Sequence, residues 1–371
     1  MQYIICFMIS LIFINFAQKF YKKGKGKLFL IFSFIALIVP SILAGVRDLS
    51  VGTDTNVYVI PIFEYFESKG FAAMESSQIL EIEIGYAIFN YIISVIVDSN
   101  FWILFAIQLF ISSFIYANSI YQYKTKGISP VMYMAVYYFM FYNVTLNLSR
   151  QAMAIAVIIF ANKFLEEKKY FKFIIATVFA ATFHRSATFA LVLIPLCMMM
   201  NLKGKIYYKI LTCTVLLLGL LFSVQIIELG IDVGIISLRY DKYVGRYLTS
   251  DLKIDFTTII FKVGIISIFS LFGKKLKNKN SMNELYMFLL IVDFILMQLG
   301  VSLGYVQRLA YYIGYMSTFI LLPQFKELLV KNDRYKILGN TIVILILVVF
   351  WWASFVRGGV GQTYPYIMNI F

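Results

Sequence analysis

Charge is scarce in this sequence. Only 14% of its 371 residues are Asp, Glu, Lys or Arg, against about 25% in a soluble globular chain. Histidine is nearly missing, with one copy at position 184. There is no GxxxxGK[ST] phosphate loop, no HExxH and no GxGxxG, which argues against a nucleotide-dependent cytoplasmic enzyme. No Asp-x-Asp pair is present to hold a metal on a nucleotide sugar, and Glu81-x-Glu83 is a feeble substitute. Neither a metal nor a cofactor is expected. The three cysteines, Cys6, Cys197 and Cys213, lie inside apolar runs. Their spacing suits neither a disulfide framework nor a metal site, so they read as inert core thiols. The opening MQYIICFMISLIFINFA lacks a basic start and a small-residue cleavage site, and is expected to be a retained span.

What is abundant is apolar surface. The chain is 61% hydrophobic and 18% aromatic, with mean hydropathy +0.82. One soluble core cannot hide that surface, so the fold class is an all-α polytopic membrane protein. Apolar runs recur from end to end, with no fixed-period repeat and no Pro/Ser-rich linker, giving one membrane domain over 1–371. The pattern predicts about 13–14 transmembrane helices. Candidates lie near 2–17, 28–45, 84–97, 101–120, 129–143, 150–165, 170–183, 186–200, 207–229, 256–272, 284–303, 309–323 and 337–356.

The formal net charge is +14. On a soluble protein it would suggest nucleic acid; here the lysines sit in short loops between spans, as membrane topology requires, and no nucleic acid is expected. Lys-rich loops at 18–27, 121–128, 164–172, 201–209, 273–280 and 324–336 mark the cytoplasmic side. If 18–27 and 121–128 share a side, an even number of crossings separates them, yet only three spans are visible. A short broken or re-entrant helix in 56–83 is expected to repair the parity. The arginines behave differently. Of eight, only Arg334 falls in a Lys-rich loop; Arg47, Arg150, Arg185, Arg239, Arg246, Arg308 and Arg357 fall at the opposite ends of spans. Cations are disfavoured there, and arginine suits bidentate phosphate contacts. The set therefore points to an anion site on the outer face, although any one arginine could instead pair with a local carboxylate or a lipid headgroup.

Several constellations carry polarity to that side. In AGVRDLSVGTDTNVY (44–58), Arg47, Asp48 and Asp54 follow a span, with Gly45, Gly52 and small polar residues favouring a tight turn. Glu81 and Glu83 precede a helix, where carboxylates oppose the dipole's positive end, or where Glu83 could orient or deprotonate a hydroxyl. Arg150 opens the span in LNLSRQAMAIAVIIFA, against the helix dipole. In TFHRSATFAL, His184 beside Arg185 is either structural or an acid/base or phosphate donor. The longest outer loop, 230–255, spaces Arg239, Tyr243 and Arg246 on one helical face, with Tyr240 adjacent; the guanidiniums suit phosphates and the rings suit sugars. A helix resting on the membrane surface is the plainer account. Arg308 starts another outer span, and Asp293 lies mid-span, where an ionisable group is functional by default.

These stretches, AGVRDLSVGTDTNVY, EIGYAIFNYII, SRQAMAIAVIIFA, TFHRSATFALVLIP and RYDKY, with a PY-containing tail, resemble the EpsG family of bacterial exopolysaccharide polymerases, related in role to Wzy-type O-antigen polymerases. The likeness covers nearly the whole chain. It implies a fold resembling lipid-linked-sugar (GT-C-like) glycosyltransferases in the bacterial cytoplasmic membrane. The implied activity joins undecaprenyl-diphosphate-linked oligosaccharide repeat units at the outer face, with membrane lipids, a flippase and a chain-length regulator as candidate partners. Arg47, Arg150 and Arg185 are then expected on the diphosphates, Arg239, Arg246 and Arg308 on further phosphates or sugars, and Tyr240 and Tyr243 on sugar rings. His184, Asp54 or Glu83 is the expected base. A ligase using the same lipid carrier and a transporter or flippase are the rival readings.

Overall fold

A computed structural model describes residues 1–200, 202, 204–222, 225, 229, 231–233, 256–272, 282–300, 304–325 and 336–369. Among them the regular structure is helical, and four helices are long and apolar enough to cross a membrane. The chain is an all-α polytopic membrane protein. Every predicted span contains helix, although 186–200 is built from a 3₁₀ segment, Arg185–Val192, followed by a short α-helix. The chain divides into two compact units, Met1–Ala190 with Thr318–Phe371, and Leu191–Ser317.

In the first unit, α1 (Gln2–Lys22) and α2 (Gly26–Gly45) form a hairpin. α6 (Asn100–Lys126) lies antiparallel to α2, with Ser33 bonded to Tyr116 at 2.8 Å near one end and Gly45 against the Phe101 ring at the other. α7 (Pro130–Met140) and α8 (Tyr142–Asn147) are one helix bent at Phe141. α9 (Ser149–Glu166) then returns parallel to α6: Asn118 Nδ2 donates to Ile159 O at 2.6 Å, and Gln122 Nε2 to Glu166 at 2.9 Å. α10 (Tyr170–Ala181) runs back beside α9. The centre is rich in tyrosines, and several hydroxyls find partners, such as Tyr138 with Ser10 at 2.6 Å and Tyr133 with Asn118 at 3.0 Å, while that of Tyr86 has none among the described residues. A ring in a low-dielectric core must satisfy its O–H or pay the desolvation penalty.

The lysine loops gather at one end of this unit. Lys22 lies over the Tyr123 ring at 5.9 Å, Lys124 over Tyr21 at 5.3 Å, and Lys126 pairs with Glu166 at 2.6 Å. The loops at 18–27 and 121–128 therefore share a side, with α2 and α6 as the crossings between them. The broken helix expected in 56–83 is present: a π-turn at Thr55–Val59, α3 (Ile60–Lys69), a 3₁₀ stretch at Gly70–Glu75 and the single turn α4 (Ser77–Leu80). α5 (Ile84–Ile96) completes it. Its 13 residues span about 20 Å, short of the roughly 30 Å hydrocarbon core. Segment 46–99 thus leaves α2 and rejoins α6 at the same end, as a re-entrant insertion; the span expected at 84–97 is too short to cross, and parity between the two lysine loops comes from two crossings instead of the four expected.

The second unit holds α11 (Leu193–Met199), α12 (Lys205–Leu221), α13 (Phe256–Phe272), α14 (Met282–Gly300) and most of α15 (Gly304–Leu321). Lys209 pairs with Glu284 at 2.8 Å. Asp293, fully buried, is bonded to Lys262, and Gly314 leaves the space its carboxyl occupies. The mid-span acid thus has an ion-pair partner. α16 (Lys336–Trp351), a π-turn and a tail to residue 369 return to the first unit. The cysteines carry no disulfide; Cys6 and Cys197 are buried and Cys213 half-buried.

Candidate functional site

The polar stretch after α2 is a turn locked from two sides. Asp48 accepts from Ser50 N at 2.9 Å and Ser50 Oγ at 2.6 Å, bonds that hold its carboxyl below the usual carboxylate range. Its role is to shape the loop. Gly52 has φ +89°, and a Cβ there would lie 2.6 Å from Leu146 O. Only glycine meets both demands cheaply. Asn147, at the α8–α9 junction, accepts from Thr53 Oγ1 at 2.6 Å and Asp54 N at 3.1 Å. From the other side comes the tail. Asp48 N donates to Ile367 O at 2.9 Å, Asn369 N to Val46 O at 2.8 Å and Gly52 N to Gln362 O at 3.1 Å. The tail is anchored by Tyr3, whose hydroxyl donates to Thr363 O at 2.7 Å, and by Asn143, which donates to Thr363 Oγ1 at 2.9 Å.

This frame buries Arg47, which is only 4% exposed. Its Nη2 donates to Thr55 Oγ1 at 3.2 Å and Leu146 O at 3.3 Å, both long contacts to neutral oxygens. Its Nε meets no acceptor, and no described carboxylate pairs with it. Burial lowers its pKa from the ordinary arginine value.

A second cation stands at the start of α9. Arg150 Nη1 donates to Glu83 Oε2 at 2.9 Å, with side chains 23% and 11% exposed. Its guanidinium lies 4.6 Å from the Tyr58 ring centroid, and its Nε has no partner. Tyr58 donates to Asp54, and burial, then that carboxylate, raise its pKa. Glu83 uses its other oxygen to accept Arg185 N at 3.2 Å. Both of its oxygens are engaged, so Glu83 fixes the Arg150 fork in one orientation. The turn after α10 is held by Gly85 N donating to Thr182 O at 2.8 Å, a contact close enough to exclude a Cβ at Gly85. That turn carries Arg185, exposed, whose guanidinium has no described protein partner. His184 Nδ1 is engaged by Ser186 Oγ at 3.0 Å and Ser186 N at 3.3 Å. Tyr86 lies within electrostatic reach of Arg150, Asp54 and Arg47 together.

The helix ends that carry Arg150 and Arg185 lie below the tip of α6. Thr145, at the end of the α7–α8 limb, donates to Gln108 at 2.9 Å, and Phe183, past α10, packs on Phe110 at 5.1 Å. Both contacts sit about 12–15 Å along α6 from its first residue, at 1.5 Å per residue. The limbs ending at Leu146–Ser149 and Thr182–Arg185 therefore stop short of the tip of α6. The re-entrant segment forms one wall of the resulting recess.

Of the predicted residues, Arg47, Asp54, Glu83, Arg150, His184 and Arg185 are brought to one end of the first unit, opposite the lysine loops. Arg239, Tyr240, Tyr243 and Arg246 lie outside the described residues. Arg308 is exposed on α15, in the second unit. Sequence reasoning passed over Tyr58, Tyr86 and Asn147. Tyr58 follows Asp54 by one helical turn, a spacing that places two side chains together. Asn147 belongs to an N-x-S triplet with no distinctive context. Among the described residues no group of His, Cys, Asp and Glu could hold a metal.

The sequence model of the EpsG family matches residues 30–368. No curated protein matches the chain, and no solved structure matches it.

Proposed function

The chain belongs to the EpsG family, a family of Wzy-like polymerases, and on that premise we propose that it joins undecaprenyl-diphosphate-linked oligosaccharide repeat units at the outer face of the bacterial cytoplasmic membrane. An exopolysaccharide polymerase-type role is general to the family. The observation that carries it is charge without counter-charge. Among the described residues Arg47 and Arg185 have no carboxylate partner, and Arg150 has one edge held by Glu83 and its Nε unused. Burying a cation costs several kcal/mol unless an anion offsets it. A diphosphate supplies that anion, and arginine forks match its oxygens bidentately. The lysine loops at the opposite end of the unit support an outward-facing arginine end, since basic loops favour the cytoplasmic side.

In the reaction, the bond between the donor sugar's anomeric carbon and its phosphate oxygen breaks, and the diphosphate leaves with the electron pair. A hydroxyl of the acceptor unit forms the new glycosidic bond and surrenders its proton. Arg150 and Arg185 stabilise the charge developing on the diphosphate, with Arg47 beneath them. Asp54, beside the Tyr58 ring on which Arg150 rests, takes the proton. Glu83 orients Arg150, and His184 braces the turn that carries Arg185.

The test is genetic and chemical. Deleting the gene should accumulate single lipid-linked repeat units and abolish long glycan. Restoration with Arg150→Lys or Arg185→Lys, which keep charge but lose the fork, should leave chains short. Normal chain lengths in the deletion strain reject polymerisation. Repeat units retained on the cytoplasmic leaflet would instead favour transport.

A further inference from the structure

The re-entrant segment and α10 enclose a groove of about 650 Å³ in the first unit. Its walls are apolar: Met74 from the 3₁₀ stretch, Ile79 from α4, Ala87 and Ile88 from α5, Val178 and Ala181 from α10. Its polar head is Glu83 and Arg185. Ile88 is 43% and Val178 59% exposed, so the groove opens toward the lipid-facing sides of α5 and α10. Those sides turn further large apolar residues outward, including Ile92, Val95, Ile175 and Phe179.

The two ends of this groove make different demands. Glu83 is already neutralised by Arg150 and by Arg185 N, so among the described residues lining the groove the uncompensated charge is the Arg185 guanidinium. A fitting occupant has an anionic head and a single apolar chain too long for the groove, continuing into the bilayer. We propose that this groove seats the head-proximal part of a polyisoprenyl chain, delivering the attached diphosphate to Arg185 and, beyond it, Arg150. The inference rests on the lipid-linked donor proposed above. It adds the entry route: the substrate slides laterally from the bilayer between the re-entrant segment and α10, with no need to leave the lipid. It also gives the re-entrant segment a purpose that a plain crossing helix would not serve, since a complete span at 84–96 would close the opening.

The test uses a sugar-free polyisoprenyl diphosphate carrying a photoreactive group near its head. The full chain is reconstituted in nanodiscs of phosphatidylethanolamine and phosphatidylglycerol. Crosslinks are expected on peptides covering 74–88 and 178–185, competed by unlabelled polyisoprenyl diphosphate and not by added phosphatidylglycerol. Arg185→Gln should weaken labelling about tenfold, the worth of one charge-assisted contact. Ala181→Trp, which fills the groove, should suppress it, and Val178→Trp at the exposed mouth does the same without touching the interior. Labelling spread evenly over lipid-facing helices overturns the proposal. So does equal competition by phosphatidylglycerol, which would mean ordinary lipid in the groove, or indifference to both tryptophans. The probe has no sugar, so the readout is independent of polymerisation. A chain that labels here but makes no polymer keeps the groove and loses the proposed function; one that polymerises without labelling loses the groove alone.

Discussion

Replacing Arg47 with methionine should separate function from stability. The arginine is 4% exposed, with two long hydrogen bonds to neutral oxygens and an unpartnered Nε. Removing it orphans Leu146 O as an acceptor from this side chain, a cost of about 1–3 kcal/mol. Thr55 keeps its bond to Val51 O at 3.2 Å. Against that cost, the effective penalty of holding an ion away from water is several kcal/mol. Methionine retains much of the apolar stem and fits irregular space. The two terms nearly cancel, so Arg47→Met should change unfolding free energy by no more than about 2 kcal/mol in either direction. Loss of two charge-assisted phosphate contacts at about 1.5–3 kcal/mol each predicts a fall in polymerisation of roughly 10²-fold or more. Thermal unfolding of the purified protein in detergent, beside glycan length in a complemented deletion strain, reads both. A variant that unfolds in step with its loss of activity would make Arg47 a structural cation and refute the reasoning. So would one that polymerises normally.

Three further outcomes follow from the same contacts. Glu83→Gln should release Arg150 and lower activity about tenfold, since a neutral amide replaces a charge-assisted bond; Arg150→Gln and the double variant, assayed together, should lose less than the sum of the singles because they act through one pair. Gly52→Ala forces a Cβ against Leu146 O at φ +89°, and should cost about 1–3 kcal/mol, seen as earlier proteolysis within 46–58. Asp293→Asn leaves Lys262 without its carboxylate and should destabilise the second unit by about 3–5 kcal/mol, with Lys262→Met restoring thermal stability in the double variant.

How much of this was legible beforehand depends on distance along the chain. The predicted spans correspond to helices because a lipid-facing helix announces itself through local composition. Charge parity showed that three crossings between 18–27 and 121–128 were one too many or one too few; it pointed to 56–83, whereas the count is restored by Ile84–Ile96 failing to cross. The arginines declared themselves by falling where the lysines did not. Asn147 did not, because its meaning lies in Thr53 and Asp54, far away in the chain. Nor did Glu83 reveal itself as the anchor of Arg150, since a carboxylate ahead of a helix reads equally well as a favourable dipole contact.

By itself the sequence determined the membrane class, the helical content and the segregation of guanidiniums from ammonium groups, because each follows from local composition and from the solvent a segment must tolerate. Tertiary structure alone decided that Arg47 is buried with no counter-ion among the described residues, that Glu83 is already spent, and that a tail more than three hundred residues from Tyr3 closes over the loop after α2. Those outcomes depend on which polar groups meet across the fold, and the energy of such a meeting belongs to the pair, not to either partner's place in the chain.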